Sequence, residues 1–581
     1  MNILGINVYH ADTAACFIKN GQLIAAAEEE RFTRIKHYSG FPVNSIKFCL
    51  KKAGISFNEI DYITVNFNLR YNLYERIKFT FSNITSSNLL NKLLSLLNKT
   101  SLHNHFQEYF GEDVKDKIIF VPHHISHISS SYYTSGFKDA VGLSIDATGD
   151  FSSMEISEYK NNKINIISKN HYPHSLGILY QAITQFIGFK NYGDEYKVMA
   201  LAAFGTPKYS KEFDKLVKFV PPYGFELNLE YFLHDKNFFF ENLNSKKPNF
   251  ENLFSKKIEE LFGTERSYKD EIQQKHYDIA SSLQNKFEEI VLKIINNIYI
   301  ENHSNNICFS GGCFFNSVLN GKIYESSKFD KIFFHANVGD AGGSVGSSLY
   351  HLNKISKNSK NTVQENYFIG SSYSDEQAQN LIKKSEKFLK DFSINYDLNF
   401  EQINDIATDI LSKNGLIAWF QDEMEWGPRA LGNRSLLMNP KNEFAREILN
   451  TKIKLREEFR PFAASILEEY THKYFDIKNK DDKFPNMNIV LKANSICKKE
   501  YPAIVHVDGS SRIQTVNKNQ NFKFYNLLNA FKKKTGSPIL LNTSLNIDEP
   551  ICESPTNVIE TFSRTKIDCI VIQNTVIKKN N

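Results

Sequence analysis

Three histidines crowd one short stretch, His123-His124-Ile125-Ser126-His127. An apolar run from Ala140 to Ile145 follows and delivers Asp146 into a small, polar turn. If residues 123–130 form a helix, His123 and His127 share one face, while His124 points elsewhere. That spacing can hold a single metal ion between two ring nitrogens. Neutral imidazole with carboxylate suits Fe(II), Mn or Zn, and leaves coordination positions open for a substrate. Alone, H-x-x-x-H more often marks a helix with two satisfied histidines. The aspartate at the end of the next strand tips the balance towards a metal.

The same pattern, an apolar strand running into an acidic turn of small residues, occurs earlier. Asn2–Val8 leads into His10-Ala11-Asp12-Thr13. Two such turns facing each other describe a duplicated α/β ATPase core, in which backbone N–H groups of small residues approach phosphates from opposite sides. Two further turns fit that core. Ser310-Gly311-Gly312 closes the strand Asn306–Phe309, and Asp340 precedes glycines that open a helix. Each alone is an ordinary turn; four at strand ends in one chain are harder to dismiss.

The elements that must position these residues follow from patterning. Ala14–Lys19 and Leu23–Ala27 read as a hairpin about Asn20-Gly21. Residues 28–42 read as a charged helical stretch. An amphipathic helix spans 43–53 and stops at Gly54, and Tyr62–Val65 is a strand. The Asn-rich segment 67–118 suggests irregular helices. An apolar helix covers 174–189, and Glu195 and Lys197 lie among small residues in 193–205. Residues 206–275 read as an insertion without assignable role, and 277–300 as a long amphipathic helix. The polar stretch 351–364 marks a boundary, giving domains 1–360 and 361–581.

In the second domain a capping box at Ser374–Gln377 opens a helix running through Phe388, and Leu416–Phe420 is a strand. Arg429, Arg434, Arg446, Lys454, Arg456 and Arg460 then crowd around a Gly-Pro turn and a helix. Arg446 and Arg456 read as a solvated helix face. Arg429, Arg434 and Arg460 sit in turns beside Gly, Pro or Asn, where a planar fork can clamp phosphate. Pro461 holds the Arg460 backbone extended. Asp508 and Arg512 follow, and an apolar strand from 537 ends in Asn542-Thr543-Ser544.

Composition bounds these readings. A chain of 581 residues exceeds a single core. With 41% hydrophobic and 23% charged residues it is globular. A net charge of +5 is too small a basic excess to favour a nucleic-acid partner. Seven scattered cysteines without a C-x-x-C pair suit reduced thiols in a cytoplasm. The N-terminus shows no signal-peptide pattern, and no apolar run approaches the roughly 18 residues of a membrane span.

Several motifs together resemble one family. They are HADTAA (10–15), EEERFTRIKH (28–37), HHISH (123–127), HSLGILY (174–180), GDEYKVMALA (193–202), GPRALGNRS (427–435), FRPFA (459–463) and LLNTSLN (540–546). In order, over nearly the whole chain, they are similar to the O-carbamoyltransferases of the nodulation-factor and antibiotic-tailoring type (NodU/CmcH). The resemblance implies an actin-like ATPase N-terminal domain followed by a YrdC-like α/β C-terminal domain. It implies that the C-terminal domain forms carbamoyl adenylate from carbamoyl phosphate and ATP, with Mg, releasing pyrophosphate. The N-terminal domain then transfers the carbamoyl group to a hydroxyl of a sugar or natural product. Carried over by residue, His123, His127, Asp146 and Asp340 would hold Fe(II) or a similar divalent metal. Gly311, Gly312, Lys197, Arg429, Lys454, Arg460, Asn542 and Ser544 would bind nucleotide or carbamoyl phosphate, and Arg429, Lys454 and Arg460 would be catalytic as well, as would His10 and Lys36. His10 and Lys36 would lie near the acceptor, His10 as a general base. The resemblance also admits a homodimer. Ala147 and Ala200 stand where glycines are usual, and the LNIDEP turn (545–550) is about one residue short, which bears on the acceptor more than on the reaction type. An actin-like small-molecule kinase would leave the arginines idle, and an RNA-modifying enzyme fits poorly with the low charge.

Overall fold

A computed structural model describes residues 1–82, 102–160, 163–236, 246–248, 251–356, 364 and 366–580. The chain divides into two compact units, Met1–Gln364 and Glu365–Asn581.

Two five-stranded sheets build the first unit. One contains β1 (Asn2–Asn7), β2 (Ala14–Lys19), β3 (Gln22–Glu28), β4 (Tyr62–Val65) and β5 (Ile118–Phe120), in the order β3-β2-β1-β4-β5. The other contains β6 (Ala140–Gly149), β7 (Ser152–Lys160), β8 (Lys163–His171), β11 (Asn306–Ser310) and β12 (Lys331–Phe334), in the order β12-β11-β6-β7-β8. A separate hairpin joins β9 (Val217–Val220) and β10 (Gly224–Leu227). In each sheet the first strand is central. The next two run antiparallel on one side and the last two parallel on the other. This is one topology used twice, the duplicated actin-like ATPase core. The parallel crossover from β1 to β4 requires a helix, and Val43–Ala53 supplies it. Gly54, left-handed at φ 63°, caps that helix through Leu50 and Lys51 carbonyls.

A helix follows the fifth strand of each sheet, His123–Ser135 after β5 and Asp340–Ile355 after β12. Their faces are rich in Ser and Gly, so their backbones approach closely. A Cβ on Gly346 would lie 1.7 Å from the Ser126 carbonyl oxygen. Gly346→Ala is therefore expected to cost about 1–3 kcal/mol by overpacking, and to separate the two helices. A lower urea midpoint together with weaker metal retention would be the sign of it; an unchanged midpoint would refute the close-packing argument.

Several expectations need correction. Only Glu30–Thr33 of residues 28–42 is α-helical. Glu28 bonds Arg31, Glu29 accepts from Asn44 and Ser45, and Glu30 accepts from the His37 N–H. Carboxylates bound to buried partners cannot form a solvated helix face, and Arg34 and His37 turn left-handed instead. Asp146 lies within β6, not beyond it, at a register irregularity between Ile145 and Gly149. The helix from Asp340 runs to Ile355, into the stretch taken as a linker. In 67–118, helices span Leu73–Ser82 and Leu102–Phe110, and residues 83–101 lie outside the described residues. The region 206–275 carries the Ser210–Leu216 helix and the β9–β10 hairpin, with 237–245 and 249–250 not described.

The second unit is α/β. Its nine-stranded mixed sheet runs β13 (Phe392–Asn395), β21 (Thr575–Lys579), β20 (Cys569–Ile572), β14 (Ile417–Phe420), β15 (Arg434–Met438), β19 (Ile539–Ser544), β16 (Ala463–Leu467), β18 (Ser510–Val516), β17 (Ile489–Lys492). The helices Phe400–Ser412 and Phe522–Thr535 bury Ile403, Leu411, Leu527 and Phe531 with Trp419 and Val571 of the sheet. The capping box at Ser374 is formed, but its helix ends at Lys384, before a short 3₁₀ turn.

Candidate functional site

In the first unit four side chains converge on one point. The Nε2 atoms of His123 and His127 are 3.0 Å apart. His127 Nε2 lies 3.1 Å from Asp146 Oδ2 and 3.3 Å from Asp340 Oδ1, and His123 Nε2 lies 3.5 Å from Asp340 Oδ1. His123 Nε2 lies 4.0 Å from Asp146 Oδ2. Ligands about 2.1 Å from one ion are separated by about 3.0 Å at right angles and up to about 4.2 Å when opposed, so these separations fit a single divalent cation. The electrostatics agree. Burial, with His127 and His124 close by, drives the His123 imidazole well below its ordinary pKa. Burial and the Asp146 charge push the Asp340 carboxyl up to about 6. A shared cation would relieve this crowding of buried carboxylates. The residues therefore fit the metal that the sequence implies.

Each ligand is held by the fold. Gly149 packs flat against the His123 ring, since a Cβ there would lie 2.0 Å from it. Asp150 Oδ2 accepts from the His123 backbone N–H at 2.8 Å and so caps that helix. The sequence reading missed Asp150, because its partner is distant in the chain. His124 bonds Ser144 Oγ and the Ser152 carbonyl; it is structural.

The other first-unit residues are placed as follows. Gly311, at φ 95°, passes under Ile145, where a Cβ would lie 2.2 Å from the carbonyl oxygen. Gly312 N–H donates to Asp146 Oδ2 at 2.9 Å. The His10 ring centroid lies 6.0 Å from that of His123. Lys197 is buried against Asp194 at 3.0 Å, and Lys36 lies over the Tyr196 ring.

The second unit gathers cations at one end of its sheet. Register puts Arg512 and Asn542 on either side of Ala463, three residues after Arg460, and pairs Ser435 with Ser544. The loop carrying Arg429 precedes β15 at the same end. Lys454 is 2% exposed. Its Nζ reaches the Ser544 carbonyl at 2.6 Å, Ser544 Oγ at 3.2 Å and Asn546 Oδ1 at 2.8 Å. Burial and the charges of Arg456 and Arg460 hold its pKa well below the ordinary lysine value. Burial and the charges of Arg429, Arg456 and Arg460 do the same to Arg512. Arg512 Nε is buried without a hydrogen bond among the described residues. Basic side chains compressed in this way repel one another, and a multiply charged anion could offset that repulsion.

Two sequence assignments change here. Arg456 is no solvated helix residue: it donates to Asn450 Oδ1, stacks on Phe462 and belongs to the cationic group. Arg434 is no phosphate clamp. It is fully buried on Phe420 and donates to the carbonyls of Gln421, Asn433, Ser371 and Asp422. Arg434→Ala would strand those carbonyls, at about 1–3 kcal/mol each. The expected outcome is a lower denaturation midpoint with all activities reduced together; loss of one partial reaction at normal stability would restore the clamp. Asn542 donates to the Ala430 carbonyl and to Ser465 Oγ, so it braces the Arg429 loop. Glu425, unremarked in the sequence, accepts three backbone N–H groups of that loop, from Leu431, Asn433 and Arg434.

Comparison with known proteins decides the family. The Carbamoyltransferase N-terminus model matches residues 2–349 and the Carbamoyltransferase C-terminus model residues 408–579. The chain belongs to the carbamoyltransferase family. It is similar to the nodulation protein NolNO of Sinorhizobium fredii, at 31% identity over 99% of this chain and 80% of that one. It is also similar to an uncharacterized protein of Synechocystis sp., at 34% identity over 100% and 97% of the two chains. Among solved structures, component A of the (R)-2-hydroxyglutaryl-CoA dehydratase of Acidaminococcus fermentans covers 61% of this carbamoyltransferase and 99% of its own chain. Its identity is 12% and its TM-score 0.33, too low to add to the topology. Among the described residues, no helix of the carbamoyltransferase is long and apolar enough to cross a membrane.

Proposed function

We propose that the carbamoyltransferase activates its carbamoyl group as an adenylate. In this reading the second unit, YrdC-like in role, converts carbamoyl phosphate to carbamate and joins it to ATP, with Mg, releasing phosphate and pyrophosphate. The first unit passes the carbamoyl group to a hydroxyl of a sugar or other small molecule and releases AMP. The observation that carries the reading is the compressed cationic group of Lys454, Arg429, Arg456, Arg460 and Arg512, which calls for phosphates. Ser544 and Asn546 hold the lysine, and Asn542 braces the loop of Arg429.

At the first-unit centre, His123, His127, Asp146 and Asp340 would hold a divalent metal, Fe(II) by resemblance, which supplies a Lewis acid for the carbonyl or the phosphate. Gly311 and Gly312 bring a close-packed backbone to the same centre, and His10 and Lys36 lie on the acceptor side. Carbamate is a poor electrophile, and adenylation gives it AMP as a better leaving group. The experiment is pyrophosphate release from ATP. It should require carbamoyl phosphate and no RNA. ADP release would favour a kinase, and a requirement for RNA would favour an RNA-modifying enzyme.

A further inference from the structure

We propose that His37, oriented by Asp12, takes the proton from the hydroxyl that attacks the carbamoyl carbon. This rests on the adenylate route above and names the base that the route needs.

Asp12 lies in the turn after β1, and His37 in the loop after the Glu30–Thr33 helix. His37 Nδ1 and Asp12 Oδ1 are 2.8 Å apart. With the carboxyl oxygen as acceptor, Nδ1 carries the hydrogen and Nε2 is left with its lone pair in the neutral imidazole. The backbone is fixed as well. His37 N–H donates to Glu30 Oε2 at 2.7 Å, and Arg31 holds Glu30 Oε1 at 3.0 Å. Nε2 lies against Gly193, at φ 83°, where a Cβ would come within 2.6 Å of it. The ring meets Tyr192 edge-on at 5.1 Å. The two side chains are 25% and 24% exposed, so a substrate hydroxyl can reach them.

The pair shares its surroundings with the metal ligands. The turn that carries Asp12 also carries His10, whose ring centroid lies 6.0 Å from that of the metal ligand His123, and Glu195 senses both Asp12 and His37. Around His37, the charged groups are Asp12 from the β1 turn, Glu30 and Lys36 from its own segment, and Glu195 from the Glu195–Ala202 helix. Burial lowers the imidazole pKa, but Asp12 and Glu30 outweigh it, and the net direction is up. His10 is the rival base. Its ring sits against His123 and Phe67, so a proton there would add positive charge beside a metal ligand. At His37 the Asp12 carboxylate offsets that charge.

The step balances. The hydroxyl oxygen bonds to the carbamoyl carbon, and its proton passes to His37 Nε2. The bond from that carbon to the AMP oxygen breaks, and the electron pair leaves on AMP. Solvent then takes the proton from the imidazolium.

The test uses the full chain with ATP, carbamoyl phosphate and glycerol as a hydroxyl probe. Pyrophosphate and AMP are measured separately, with attack by water counted as AMP release. In a single turnover, His37→Gln should keep the rate of pyrophosphate release within about twofold, hold the carbamoyl adenylate, and slow AMP release by about a hundredfold or more. A base must be neutral to act, so the rate falls on the acid side of the His37 pKa. Asp12→Asn removes the group that raises that pKa, so the acid limb should move to lower pH while the maximum rate falls. Normal AMP release by His37→Gln, or an acid limb unmoved in Asp12→Asn but shifted in His10→Gln, overturns the proposal. Absence of pyrophosphate release from the wild-type protein would instead fail the adenylate route, and this inference with it.

Discussion

His127→Ala should lose bound metal and carbamoyl transfer while still releasing pyrophosphate from ATP and carbamoyl phosphate. His127 Nε2 is the most central of the four donors, 3.0–3.3 Å from each of the other three. Removing it leaves one imidazole and two carboxylates that repel each other in a buried site. Even outer-shell partners of metal ligands cost about 10–100-fold in affinity when mutated, so loss of a ligand should exceed that. Burial opposes protonation of His127, but Asp146 and Asp340 overcome it and push the metal-free imidazole up to about 9. The metal must therefore displace that proton, and loading should release protons. The control is His124→Ala. Its ring bonds Ser144 and Ser152, so the variant should lose stability yet keep metal and transfer. Metal content by elemental analysis, beside each partial reaction, decides the matter. Equal metal loss in both variants would sink the assignment.

Arg460→Ala should abolish pyrophosphate release yet leave transfer from supplied carbamoyl adenylate intact. Arg460 lies just before β16, and its Nη1 lies 3.6 Å from Glu457 Oε2. Its charge adds to the repulsion that depresses Lys454 and Arg512. A bound phosphate would convert that repulsion into charge-assisted hydrogen bonds, worth about 1.5–3 kcal/mol each. Losing two of them lowers the rate by on the order of a hundredfold or more. The same substitution relieves like-charge crowding in the unliganded protein. Its thermal midpoint should therefore match or exceed that of wild type, unlike the drop expected for Arg434→Ala. Failure of Arg460→Ala with supplied adenylate would mean that both steps share one site.

What the sequence determined on its own is largely local. The pair His123 and His127 needs only helical periodicity to share a face, and Asp340 needs only its place before the glycines of a helix. Strand patterning and the Asn20-Gly21 turn likewise specify β1, β2 and β3 through contacts between chain neighbours. What lay beyond it depends on contacts between distant residues. Arg434 and Arg460 look alike in sequence, both beside turn-forming residues. Only the fold shows that one guanidinium is spent on four carbonyls and the other lies among like charges. Arg456 falls at a helical position that reads as solvated, until β16 and β18 pair and set Arg512 beside it. Residues 28–42 carry charges suited to an exposed helix, yet Glu28, Glu29 and Glu30 are 6%, 1% and 8% exposed. Their partners Asn337, Ser45 and His37 arrive from other elements. The Asp12–His37 contact spans 25 residues and needs two left-handed turns to close. Buried polar groups must find partners wherever the fold supplies them. A residue's type therefore states what it can bond, and the tertiary structure decides whether that capacity is spent on the protein or left for a ligand.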